Sequence, residues 1–280
     1  MSRYRDGSAF GELPFDHFIA AEWDPSSTLS KHGQKRALVE KWIRLGRYGR
    51  NEYFERFDDV FPPHAPHDLL SDADRDVDGH ISRTLWIRTW FGHKADKASQ
   101  EAADAAYKKL FIRAMLDDDE NGRNDCMDPE FIYDKPEEFG IGTTGDNPAD
   151  IADGIALGTP RSVPSYLVNA LMHCPDQFDG DGDRDWRHQT LSEAEAEELE
   201  KHQSLLVIVA DRKACEEGWV LHLAINHRGE ILPLRIRDKA SLVFQSVANW
   251  LDGQTLTENT LNTDEDKELY MREGNGWDWD

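Results

Sequence analysis

Cysteine is nearly absent from these 280 residues: Cys126, Cys174 and Cys215 are the only three, and no CxxC pair occurs. That excludes a disulfide framework and a cysteine-rich zinc site, and it points to a reducing cytoplasm, a bacterial one in the reading developed below. Long apolar runs are missing too. The longest, Leu205 to Ala210, is six residues, far below the roughly 20 that a membrane-spanning helix requires, so no membrane association is expected. The first 18 residues mix Arg3, Arg5, Asp6, Glu12 and Asp16 with apolar positions and lack the layout of a secretory signal. No Gly-x-Ser-x-Gly is present. The one GxGxxG string, Gly140 to Gly145, lacks a preceding strand, so no catalytic signature names a reaction and a non-enzymatic role is favoured.

Positive charge is also in short supply. There are 55 acidic side chains against 32 basic ones, a formal net charge of −23, and a field of that sign repels nucleic acid and anionic lipid. Cationic partners, metal ions or basic proteins, are what it attracts. Salt adaptation is the competing explanation, since aspartate is abundant and lysine scarce beside arginine. The charge reverses locally over residues 31 to 50, where Lys31, Lys35, Arg36, Lys41, Arg44, Arg47 and Arg50 face only Glu40. This is the one place where a nucleic-acid contact is conceivable; a basic face paired with the acidic body is the favoured reading.

With 39% apolar and 10% aromatic residues the chain has material for a real core. Residues 1–29 read as irregular. Helical spacing predicts helices over 31–46, from an N-cap at Asn51 to Phe61, over 82–91 and over 99–116. A Gly, Pro and Thr-rich stretch over 134–164 marks a boundary near residue 150. Beyond it come a helix over 164–174, a helix opened by a Thr190/Glu193 capping box, strands over 204–210, 219–225 and 230–236, and a helix over 239–251. Pro233 places the third strand at an edge or a bulge. The fold class is α+β: a mainly helical region over 1–150, then an α+β module over 151–252 with a small antiparallel sheet packed with helices, then an acidic tail over 253–280. Two tryptophans near its end, Trp277 and Trp279, would be wasted in free solvent, so docking of the tail onto the body is an open alternative to full solvation.

Three aspartate-rich segments can supply oxygen ligands to a hard cation such as Ca2+. Asp74, Asp76, Asp78, Gly79 and the His80 carbonyl resemble positions 1, 3, 5, 6 and 7 of an EF-hand loop, but Leu85 stands where that family has a bidentate glutamate. Asp117, Asp119, Asn121, Gly122, the Arg123 carbonyl, Asp125 and Asp128 resemble a whole loop, with Asn124 and the short Asp128 as departures. The third, Asp179, Asp181, Asp183 and Asp185, puts glycine in neither frame at position 6 and reads as a flexible acidic loop. The resemblance implies calcium binding; a metal-dependent enzyme using these carboxylates is a further alternative.

From Pro164 to Gly253 the order of motifs resembles the closing part of the SUKH superfamily, immunity proteins of bacterial toxin systems. The matching features are Pro164-Ser165-Tyr166-Leu167, the glutamate-rich Leu191-Ser192-Glu193 helix, Leu205 to Asp211, Gly218-Trp219-Val220-Leu221, the Gly229 turn, and Ala240 to Leu251. The resemblance implies a cofactor-free binder that neutralises a basic partner such as a toxin. Its interface would include Asp179 to Asp185, Glu193 to Glu200 and the tail, with Trp277 and Trp279 as aromatic anchors.

Overall fold

A computed structural model describes residues 13–54, 84–93, 95–115, 132–135, 163–172, 175, 178, 192–258, 260–261 and 263–278. Its centre is a five-stranded mixed sheet in the order β2-β1-β3-β4-β5. The strands are β1 (Thr84–Arg88), β2 (Ile132–Tyr133), β3 (Leu205–Ala210), β4 (Trp219–Ile225) and β5 (Ile231–Lys239). β1 runs parallel to both β2 and β3, whereas β3, β4 and β5 form an antiparallel meander. The α+β class is as the sequence implies, but the sheet is mixed, and it draws strands from both sides of residue 150.

Helices cover both faces. One layer holds α1 (Pro14–Glu22), α2 (Lys31–Arg44), α3 (Gly46–Phe54) and α5 (Ser165–Leu171); the other holds α4 (Lys97–Met115), α7 (Arg212–Glu217) and α8 (Val243–Leu251). Side chains alternate along each strand, so Leu205, Val207 and Val209 meet the first layer while Leu206, Ile208 and Ala210 meet the second. β3 is buried at all six positions because both its faces are covered, which is why it reads as an unbroken apolar run. The remaining helices are α6 (Glu193–Lys201) and α9 (Asp264–Glu273).

Several expectations are corrected. Residues 84–91 of the segment 82–91 are not helical: Leu85 and Trp86 point to opposite cores, and Thr84–Arg88 is a strand beside β3, while residues 82 and 83 lie outside the described residues. Its β-branched and aromatic residues suit a pleated surface, and five residues are too few for periodicity to decide. Leu85, the twelfth position counted from Asp74, lies in that strand. α1 lies inside the stretch read as irregular. Pro14 occupies its first position, and the Asp16 carboxylate accepts from the Leu13 amide at 3.3 Å. Asn51 caps nothing, because α3 begins at Gly46, which turns the chain at φ 67°. The cap of α6 is Ser192, not Thr190: its hydroxyl accepts from the Glu195 amide and the Glu195 carboxylate accepts from the Ser192 amide at 2.8 Å. The Ser192 hydroxyl, which donates to the Glu195 carboxylate at 2.7 Å, and the Ser192 amide together hold that carboxyl below its ordinary range.

The basic segment is largely absorbed by the fold. Arg50 is fully buried, donates to the carbonyls of Trp42, Ile43 and His227 at 3.1–3.2 Å, and lies over the Trp42 and Phe178 rings. Lys41 pairs with Glu22, and Arg44 pairs with Glu40 at 2.8 Å.

Candidate functional site at the sheet edge

β5 is the last strand of the sheet, and an edge strand offers unpaired backbone groups that must be guarded. Charge and proline do part of this, through Arg235, Arg237, Lys239 and the exposed Pro233. Arg237 is held by Asp211, whose carboxylate receives both guanidinium nitrogens, at 3.1 and 2.5 Å, and also caps α7 by accepting from the Ala214 amide at 2.9 Å. The same arginine donates to the Trp219 carbonyl at 2.8 Å.

The C-terminal segment guards the rest. Thr263 caps α9, accepting from the Asp266 amide at 3.1 Å, and Asp264, Glu265 and Asp266 fill the first turn, where the helix dipole favours negative charge. No residue of α9 is buried. Its least exposed positions, Lys267, Tyr270 and Met271, have i, i+3, i+4 spacing and form the one face turned to the body. Tyr270 fixes that face: its ring stands edge-on to Trp219 at 5.3 Å and its hydroxyl donates to the Asp238 carboxylate at 3.0 Å. Beyond the helix, the Gly276 carbonyl accepts from the Ala240 amide at 3.0 Å, the Asp278 carbonyl accepts from Ser241 at 2.8 Å, and the Trp277 carbonyl accepts from Arg113 at 3.2 Å. The Trp277 ring packs against the second core beneath the Lys109 ammonium, 3.6 Å from the ring centre. The tail is thus docked, and Trp277 is committed to the body.

A cleft of about 510 Å³ lies between α9 and β5. Ile236, Leu242, Leu261 and Met271 supply its apolar surface, and Arg235, Asp238, Glu258 and Lys267 its charges. The outward side of α9 carries Asp264, Glu265, Asp266, Glu268 and Glu273 around Leu269, which is 38% exposed. The α6 carboxylates of Glu197 and Glu198 are also exposed, partly answered by Lys201 at 3.3 and 3.0 Å.

Of the residues singled out in the sequence, Asp74, Asp76, Asp78 and His80, Asp117 to Asp128, Asp179 to Asp185, and Trp279 lie outside the described residues. Among the described residues, no three His, Cys, Asp or Glu side chains gather as a metal site. Cys215 lies on the buried face of α7, and that burial pushes its thiol up to about 12, so the sulfur stays protonated. Arg235, Lys267 and Tyr270 escaped the sequence reading; only the Thr263-x-x-Asp266 pattern hinted at the helix that brings them to β5. No described helix is long and apolar enough to cross a membrane. Comparison with protein-family models, with curated proteins and with solved structures finds no match for this chain.

Proposed function

We propose that this chain is an acidic protein-binding module, an inhibitor or immunity protein of the SUKH kind, which neutralises a basic partner such as a toxin. The observation that carries the reading is α9. A helix with no buried residue has no stability of its own to spare, yet this one is fixed by Tyr270 at its inner face and by the docked residues that follow it. Its outer carboxylates therefore form a held array rather than a solvated tail, and a held array loses little entropy when a cationic surface arrives. Leu269 within the array gives an apolar spot ringed by charge, the arrangement a protein interface uses. The sequence-wide −23 adds long-range steering. Affinity capture from the native cells at low and high salt tests this. A stoichiometric basic protein retained only at low salt is expected; a chain that arrives alone contradicts the proposal.

Calcium binding at Asp117 to Asp128 is a second reading, favoured by α4, which runs to Met115 directly before that loop as an EF-hand requires. Melting with calcium and then with excess chelator decides it, identical midpoints disposing of the site.

A further inference from the structure

The cleft beneath α9 is at odds with the molecule around it. In a chain of net charge −23, three cations, Arg235, Arg237 and Lys267, line one cavity. Two carboxylates share it and keep their charge, each held by neutral donors of its own: Glu258 accepts from the Thr255 amide and hydroxyl at 2.7 and 3.0 Å, and Asp238 accepts from the Tyr270 hydroxyl and the Lys239 amide. Arg237 is neutralised by Asp211. Lys267 is paired with Asp264 at 3.0 Å, but that carboxylate is 95% exposed and easily exchanged for another anion.

Arg235 is different. One guanidinium nitrogen donates to the carbonyls of Leu232 and Leu234 in its own strand, and among the described residues no carboxylate answers its charge. Its remaining donors, Nε and the second amino group, have no protein acceptor there. Burial penalises its charged form, as it does for any cation taken from water without a counter-ion. Thr260, on the same wall, has a buried hydroxyl with no hydrogen-bond partner among the described residues. Ile236, Leu242, Leu261 and Met271 supply the apolar part of the lining, and the volume of about 510 Å³ falls within the range of small-ligand sites.

We propose that the cleft binds a small organic anion with an apolar body, its carboxylate or phosphate received by Arg235 and Lys267 and its chain laid against Ile236, Leu242, Leu261 and Met271. The proposal does not rest on the protein partner. A ligand here bridges β5 to α9 and so tightens the helix onto the body. Recognition by a guanidinium with spare donors favours a planar, two-oxygen head group, and the apolar wall excludes inorganic anions as adequate ligands.

Thermal melting and calorimetric titration of the full chain with octanoate, octyl phosphate, butyrate and octylammonium test this. Octanoate or octyl phosphate is expected to raise the midpoint and bind saturably, the tighter of the two naming the head group, while butyrate binds at least about ten-fold more weakly for want of apolar contact. Octylammonium, though attracted by the overall field, is expected not to raise it. Arg235→Gln is expected to weaken the octyl anion by about ten-fold or more. Leu261→Asp, on a side chain already 42% exposed and so tolerated by the fold, is expected to do the same and decides the matter should Arg235→Gln unfold. No response to either octyl anion, an equal response to octylammonium, or binding that survives both substitutions overturns the proposal.

Discussion

The backbones of Gly218 and Gly276 pass so closely that a Cβ on either would lie 2.4–2.5 Å from the other's carbonyl carbon. The amide of Ala240 joins them, donating to the carbonyl oxygens of both. Gly218 also ends α7 in the left-handed region, at φ 81°. A side chain at this crossing must push the C-terminal segment off the body.

Gly276→Ala should therefore cost about 1–3 kcal/mol by overpacking, and Gly218→Ala about 2–4 kcal/mol, since the left-handed backbone adds its own penalty. Urea unfolding measures both. Trp277 emission should shift to the red in each variant as its ring leaves the second core. Undocking without any loss of global stability would show that the segment contributes nothing to the fold.

His222 lies in the middle of β4 between Ile208 and Ile236, fully enclosed, and burial together with the Arg237 charge pushes its imidazole down to about 4. An unfolded chain takes up this proton near pH 6.5 and the native chain only near pH 4, so the unfolded state binds more protons between these values. The stabilisation is fully present above about pH 6.5 and is lost as pH falls toward 4. Its size is about 3 kcal/mol. His222→Leu removes this dependence. The difference in unfolding free energy between the native chain and the variant should fall by about that amount from pH 7.5 to pH 4, and an unchanged difference would show that the imidazole titrates normally.

Asp211 combines two tasks, the cap of α7 and the buried partner of Arg237. Asp211→Ala leaves a guanidinium unanswered at the sheet edge and an amide uncapped, and should cost about 3–5 kcal/mol in denaturant unfolding. Asp211→Asn keeps the cap acceptor and should cost distinctly less. Equal losses in the two variants would mean that the charge facing Arg237 alone matters and the cap contributes nothing.

Much of the central fold was legible in the chain. β3, β4 and β5, and the helices α2, α4 and α8, carry either a continuous apolar run or a clean apolar stripe, and their burial follows from it. The class α+β and the edge position of the Pro233 strand followed likewise. α1 was missed because its Phe and Ile residues lie beside glycine and proline, although Pro14 and Asp16 marked its start. β1 was misread because a short apolar stretch is equally good for either period until its neighbour is known, and the neighbour, β3, lies about 120 residues away. α9 was illegible for a different reason. It is polar all round, and its place is fixed by a tyrosine, two glycines and a tryptophan whose partners are distant in sequence. The cleft depends on that placement, so no local signal could disclose it. The basic face of 31–50 shows the reverse: its charges were plain, but not that Arg50 is drawn into the core.

The central claim is that the fixed carboxylates of α9 hold a basic partner. It is tested most directly by capturing proteins from the native cells at about 50 and about 500 mM salt, with the wild-type chain and the D264N/E265Q/D266N/E268Q variant side by side. All four side chains are exposed, so the core is untouched, and the lost charges at the first turn of α9 should cost about 1–3 kcal/mol at most; a melt of each chain confirms that the variant is folded before capture. The account predicts a stoichiometric basic protein that the wild type retains at low salt and releases at high salt, and that the variant fails to retain at either. A partner held equally by both chains and indifferent to salt, or no partner at all, would contradict it.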